Sequence, residues 1–400
     1  MTRTHTLAWF ARHEMNLAWR DWATMMAGGR TARERAVTLI VLAFFVGLHC
    51  FAYLILAPIF ARGVESDITT LIVLTAGMVT AFSMMISQAI EHVTRAFYAR
   101  ADLDLILSSP APARHLFAVR IAAIAATGAM MTSLLVAPFV NMAILLDGPR
   151  WLAAYGVIAA MSAIATAAAL SASIYLFKVF GPKKTRVIAQ VTAAVAGAML
   201  LIALQITAVM MYGTFSRLAV LQSPLVLSLA PAAGSVFWLP AHAMLGNWHA
   251  ALFILTSALA ILMAAIAYYA PRFSHHAVAA AGLSDESGTA VGTKRLRPFL
   301  KRSTAQALRH KEWMLLARDP WLMSQSLMQI LYLIPPALLL YKDLSADQSL
   351  DVILAPVLVM AFGQLAGGLS WLALSGEDAH DLVATAPLAP RQQLRAKVEA

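Results

Sequence analysis

ADLDLILSSPAPARHLFAVR, residues 101–120, lies between two long apolar runs and is built unlike either of them. Aspartates, a Ser-Ser-Pro-Ala-Pro break and two arginines interrupt a chain that is otherwise rich in Leu, Ala and Val on both sides. The stretch reads as two helix ends with a stop between them. Residues 91–107 continue a helix from the preceding run, Ser108-Ser109-Pro110 ends it, Pro112 prevents an early restart, and Arg114 begins the approach to the next run. Such a segment is a rigid elbow held in water between two apolar helices.

The flanking runs identify the solvent. Of 400 residues, 60% are hydrophobic and 12% charged, against about 45–50% and 25% in soluble domains. Barrel-type alternation is missing, and a membrane offers backbone amides no water, so the runs are helices and the chain is an all-α polytopic membrane protein. Stretches of about 20 apolar residues predict eight spans, at about 37–60, 69–90, 116–146, 151–180, 187–212, 249–270, 322–341 and 351–375. Residues 1–36 contain no apolar core of signal-peptide type, so the first run is expected to remain as a signal anchor. The single cysteine, Cys50, lies inside that run, which excludes an intramolecular disulfide and a cysteine metal cluster.

Charge placement tests the span count. With a cytoplasmic amino terminus, Lys and Arg fall inside as 6 in the tail, 4 in 91–120, 4 in 178–186, 9 in 272–321 and 3 in 376–400, which is 26 of the 30. Arg62, Arg150, Arg217 and Lys342 face out. The split follows the positive-inside rule, and one span more or fewer would scramble it. The net charge of +10 therefore records topology and attraction to anionic inner-leaflet lipid, rather than nucleic-acid binding.

In the tail, Ala8, Ala11, Met15, Trp19, Trp22 and Met26 recur at three- and four-residue steps, while Arg12, His13, Asn16, Arg20 and Asp21 occupy other faces. The pattern predicts an amphipathic helix on the membrane surface.

The chain also repeats itself. EMNLAWRD (14–21) and EWMLLARD (312–319) share E-x-x-L-x-x-R-D, and DLILSSPAPAR (104–114) and DLVATAPLAPR (381–391) share D-L-x-x-x-x-P-x-x-x-R. Each pair brackets two predicted spans in the same order, so the chain is read as a parallel duplicated unit. Four regions result: a cytoplasmic amphipathic helix (1–36), a six-span unit (37–271), a basic cytoplasmic linker with a second interfacial helix (272–321), and the first two spans and elbow of a second unit (322–400). The second copy reaches Ala400 where a third span is due, and the natural gene is expected to continue for roughly 100 to 160 residues, at about 20 per span plus loops.

An amphipathic amino-terminal helix, a six-span unit, a DLDLILSSP elbow after the second span and a long outer segment after the fifth resemble the type-2 ABC exporter permeases. LRHKEWMLLARDPWLMSQSLMQILYLIP (308–335) and LSWLALSGEDAHDLVATAPLAPRQQLRAK (369–397) are similar to the fused, double-length bacterial members. The resemblance implies a bacterial inner-membrane permease subunit that forms a translocation pathway and works with separate ATP-hydrolysing subunits on the cytoplasmic face. It implies that Asp102, Asp104, Pro110 and Arg114, with Glu377, Asp378, Asp381, Pro387 and Arg391 in the second copy, dock on those subunits. Residues 213–248 would correspond to re-entrant outer helices.

The residues offer little chemistry of their own. No G-x-x-x-x-G-K-[ST], H-E-x-x-H or G-x-S-x-G occurs; GPKKTR (181–186) lacks the second glycine and spacing of a phosphate loop. No cofactor or metal is expected, and ATP falls to a partner. His275-His276 reads as a solvated loop pair. His49, midway along the first span, reads as a packed polar residue, and Gln190, Gln205, Gln325, Gln329 and Gln364 as interhelical hydrogen-bonding groups. An ion-coupled secondary transporter is the alternative, and a membrane-embedded enzyme or structural protein a further one. Ion coupling requires titratable groups near the midplane, whereas Glu91, Asp147 and Asp351 sit at span ends.

Overall fold

The computed structural model describes residues 31–63, 66–98, 113–213, 216–270, 303–318 and 390–399, with single positions between 9 and 20 and between 331 and 385. The described residues are mostly helical, joined by short turns, and contain no strand. They fall into two compact units, residues 1–179 with 221–281, and 180–220 with 282–400.

Along the chain, α1 (Thr31–Ala61), α2 (Ile68–Tyr98) and α3 (Ala113–Asp147) are followed by a 3₁₀ turn (Pro149–Leu152) and by α4 (Ala153–Tyr212), of which the part up to Val179 belongs to the first unit. Five helices are long and apolar enough to cross a membrane, over Leu39–Ala61, Ile68–Thr94, Arg114–Asp147, Pro149–Gly181 and Trp248–Tyr269. They coincide within a few residues with five of the expected spans. Leu201–Tyr212 is a shorter apolar helix within the fifth expected span. Most of the seventh and eighth expected spans lies outside the described residues, as do His275 and His276.

The helices differ sharply in burial. In the most apolar window of Pro149–Gly181, 72% of residues are buried, against 6% for Leu39–Ala61. The cause is side-chain size. Along this part of α4, Ala153, Ala154, Ala160, Ala163, Ala165, Ala167 and Ala169 are buried, and small residues let neighbouring backbones approach closely where no water drives association. Met78, Val157, Ala243, Ala250 and Ala251 form one core cluster, and Met85, Ile158 and Ala165 another. At the tightest point Ser162 Oγ donates to the Ala125 carbonyl at 2.7 Å. On α1, by contrast, Leu39, Ile40, Leu42, Phe44, Phe51 and Leu54 are exposed, as suits a peripheral helix facing lipid.

One expected loop is a break only. The basic segment 178–186, predicted to connect two spans, is helical on both sides of a single break at Gly181, at φ 71° and ψ 169°. Glycine tolerates this positive φ, and Pro182 supplies a preset helical φ for an immediate restart. Thr185 Oγ1 then donates to the Gly181 carbonyl at 2.6 Å, closing the new first turn.

Residues 213–248 fold into short pieces: α5 (Arg217–Leu221), α6 (Pro224–Leu229), a 3₁₀ turn (Val236–Trp238) and α7 (Leu239–Met244), before α8 (Trp248–Tyr269). Three of these starts have a sequence reason. Ser223 and Ser235 accept from Val226 N and Phe237 N, and Asn247 from Ala250 N, as N-caps do. Trp238 is buried against Leu71, Ile72 and Ala241, with its Nε1 donating to Pro231 O at 3.1 Å, so this segment is fastened to the first turns of α2.

Of the amino-terminal helix, Trp9, Arg12, Asn16 and Arg20 are described; all four are helical and exposed. Their spacing of three, four and four places them on one stripe, which includes the expected polar positions. The second unit contains α9 (Thr304–Arg318) and α10 (Pro390–Glu399).

Candidate functional site at the elbow arms

The elbow itself, with Asp102, Asp104 and Pro110, lies outside the described residues, but both its arms are placed. On the α2 arm, Ala89, Ile90, Val93, Thr94 and Ala96 are buried. On the α3 arm, Arg114 is exposed and, from Leu116 onward, Leu116, Phe117, Arg120 and Ile121 are buried. The change from exposed to buried takes less than one helical turn. Phe117 and Leu116 are among the largest fully buried side chains, so a displacement of the elbow is carried into close-packed helix rather than absorbed by loose contacts.

Arg120 is a cation only 4% exposed, on a helix long enough to span a membrane. Charges in that position are costly and tend to serve a function. Sequence reasoning counted Arg120 only as one of the inside charges; helix periodicity would have found it, because it shares a face with Leu116 and Phe117 at three- and four-residue steps.

In the second copy, Glu377, Asp378, Asp381 and Pro387 lie outside the described residues, whereas Arg391 is exposed in the first turn of α10. The described part of α3 runs from Ala113, just before Arg114, and that of α10 from Pro390, just before Arg391.

α10 packs on α9, the helix that carries Glu312 to Arg318 of the E-x-x-L-x-x-R-D motif. Arg309 Nε lies 2.9 Å from Glu399 Oε2, and Arg395 Nε donates to Glu399 Oε1 at 2.6 Å. The Arg395 hydrogen bond foremost, with the charges of Arg309 and Arg395, holds the Glu399 carboxyl below the usual glutamate range. Glu312 of the motif is buried, with Lys311 Nζ at 3.4 Å from its Oε1. The segments bearing the two repeated motifs are thus joined through Glu399. The i,i+4 pair Arg395 and Glu399 was legible in the sequence; the longer link to Arg309 was not.

Chemically, this arrangement offers exposed cations on stiff helices. Among the described residues no group of three His, Cys, Asp or Glu side chains could hold a metal ion. Of the polar span residues, His49 accepts from Asn141 and donates to a backbone carbonyl. Gln205 accepts from Arg217 Nε at 2.8 Å, a partner in the short helix that follows. The side chains of Gln190, Gln325, Gln329 and Gln364 lie outside the described residues. Compared with known proteins, the chain matches no protein family, no curated protein and no solved structure.

Proposed function

We infer that the chain is the membrane-spanning permease subunit of an ATP-driven exporter, working in a bacterial inner membrane with its amino terminus in the cytoplasm. The observation that carries this reading is the equivalence of the elbows. A proline-containing motif occurs twice in the sequence, and in both copies the arginine that ends it is exposed on a helix. A helix broken by proline is stiff, and the arm beyond Arg114 is anchored by Leu116, Phe117 and Ile121. A push on the elbow from a nucleotide-driven partner would therefore move α2 and α3 instead of bending the connection.

ATP hydrolysis is assigned to separate subunits on the cytoplasmic face because the chain carries no phosphate-loop motif. A secondary transporter fits less well, since no Asp or Glu lies centrally in any predicted span. The test is to purify the tagged chain from its native membrane together with the phosphate-loop ATPase encoded beside it, and to assay inverted vesicles. Co-purification with ATP-dependent transport is expected. Transport driven by an ion gradient without ATP, and without an associated ATPase, would overturn the reading.

A further inference from the structure

The duplication extends past the elbow arginines. Six residues beyond each of them stands a further cation, Arg120 after Arg114 and Lys397 after Arg391, with an apolar residue midway, Phe117 and Leu394. Each copy also opens its E-x-x-L-x-x-R-D motif with an acid, Glu14 and Glu312. The fold buries one charge from each copy: Arg120 is 4% exposed and Glu312 6%. A charge held that deep needs an opposite charge beside it.

In the second copy the two positions are within reach of each other. Arg309 and Glu399 join α9 to α10 at 2.9 Å; Glu312 follows Arg309 by about one turn, and Lys397 precedes Glu399 by two residues. Arg391, Gln392 and Arg395 are exposed on α10, and at about 100° per residue position 397 falls on the opposite side, next to the buried Ala396.

In the first copy, α1 and α3 run in the same direction, since His49 meets Asn141 and, further along both, Phe60 meets Trp151. Counting back from His49 and Asn141, Arg120 comes level with the amino-terminal end of α1, where the tail joins it. Helical rotation puts Arg120 about 60° from the side of α3 on which Asn141 meets α1, and about 160° from that of Val136, which packs on Met85 of α2 and Ile158 of α4. It therefore faces the side of α1 and the tail, away from α2 and its Glu91. In the tail, Trp9, Arg12, Asn16 and Arg20 are exposed, and position 14 belongs to the other side of that helix. The second copy repeats the arrangement: Ala307 and His310, equivalent to Trp9 and Arg12, are exposed, and Glu312, equivalent to Glu14, is buried.

We propose that these charges are partners, Glu14 with Arg120 and Glu312 with Lys397, one buried ion pair per copy that fastens the helix of the E-x-x-L-x-x-R-D motif to the helix after the elbow. The motif helix and the elbow arm then move as one part, so a push received by either reaches both. The pairing rests on the duplicated motifs and not on the exporter reading, and its test needs no ATPase.

Reversible unfolding of the full chain in mixed micelles measures it. Glu14→Gln and Arg120→Gln each leave one buried charge alone and should lower the folded-to-unfolded ratio by roughly a hundredfold or more. Together they should cost no more than the worse single change, a coupling expected of residues in contact. Arg120→Lys, which keeps the charge and copies the second repeat, should stay near wild type. The same cycle is run with Glu312→Gln and Lys397→Gln. Losses that simply add in either copy overturn the pairing. Where a single variant does not fold, proximity is read directly in a Cys50→Ser background. Glu14→Cys with Arg120→Cys, and Glu312→Cys with Lys397→Cys, should be joined by a short bifunctional thiol reagent, the linked peptides being identified by mass spectrometry. Arg12→Cys with Arg120→Cys should not be joined. Absence of either expected link, or equal linking from Arg12→Cys, refutes the proposal.

Discussion

Gly128 of α3 faces Ser162 of α4 so closely that a Cβ on Gly128 would come within 2.7 Å of the Ser162 hydroxyl. That hydroxyl cannot simply turn away, because it donates to Ala125 O in the preceding turn of α3. Gly128→Leu is therefore expected to destabilise the first unit by about 1–3 kcal/mol through overpacking, despite leucine's better helix propensity. Gly47, which meets nothing within 4 Å, should accept Leu with little change. Thermal unfolding in detergent compares the two.

Asp67 caps α2, accepting from Thr70 N at 3.0 Å. The Thr70 hydroxyl foremost, with backbone and Thr69 hydrogen bonds, holds its carboxyl below the usual aspartate range. A lowered folded-state value stabilises above the unfolded value of about 3.9, and the gain is lost as pH falls through the folded value. Asp67→Ala should cost about 0.5–2 kcal/mol at neutral pH, with the difference from wild type shrinking below about pH 4. Unfolding midpoints across that range measure it.

Much of the first unit was legible because a bilayer imposes one rule on every run: length and apolarity. Leu39–Ala61 and Trp248–Tyr269 needed nothing more. That the connection narrows to a single break at Gly181 was not legible, because four basic residues in 178–186 signal an exposed side, not a backbone conformation. Asn141 and its donor Tyr155 were passed over because a lone polar residue in an apolar run announces no partner, and theirs come from other helices. The link from Arg309 to Glu399 joins residues far apart in sequence, which no local period encodes. At the elbows, the sequence pattern identified Arg114 and Arg391 but not the buried residues behind Arg114 that make the arm stiff.

Glu399 ties α10 to α9 through Arg309. Because its carboxyl is held low, the contribution is present above the ordinary glutamate value and is lost as pH falls through the lowered one. It should also weaken at high salt, since Arg309 and Arg395 are substantially exposed. Hydrogen exchange of α10 should accelerate in 1 M salt and in Glu399→Gln. Exchange in Glu399→Gln that matches wild type at low salt would show that apolar contact alone holds the pair.

The charge split predicts sidedness. In a Cys50→Ser background, cysteines placed at Gly148 and Ser345 should react with an impermeant reagent from outside. Those at Ser287 and Ser375 should react only after the cytoplasmic face is opened. Outside labelling at position 287 contradicts the topology.

The most direct test of the coupling role is a pair of double variants, Asp104→Ala with Arg114→Ala and Asp381→Ala with Arg391→Ala. Arg114 and Arg391 are exposed, and surface substitutions usually change stability within about 0.5 kcal/mol, so insertion and folding should survive. ATP turnover, partner co-purification and export are measured together in vesicles containing the chain and its ATPase. The account predicts that ATP is still hydrolysed while export falls away, alike in both variants if the halves are equivalent. If both variants bind the partner and export at the wild-type rate, the elbows are ordinary connections and the coupling role assigned to them is wrong.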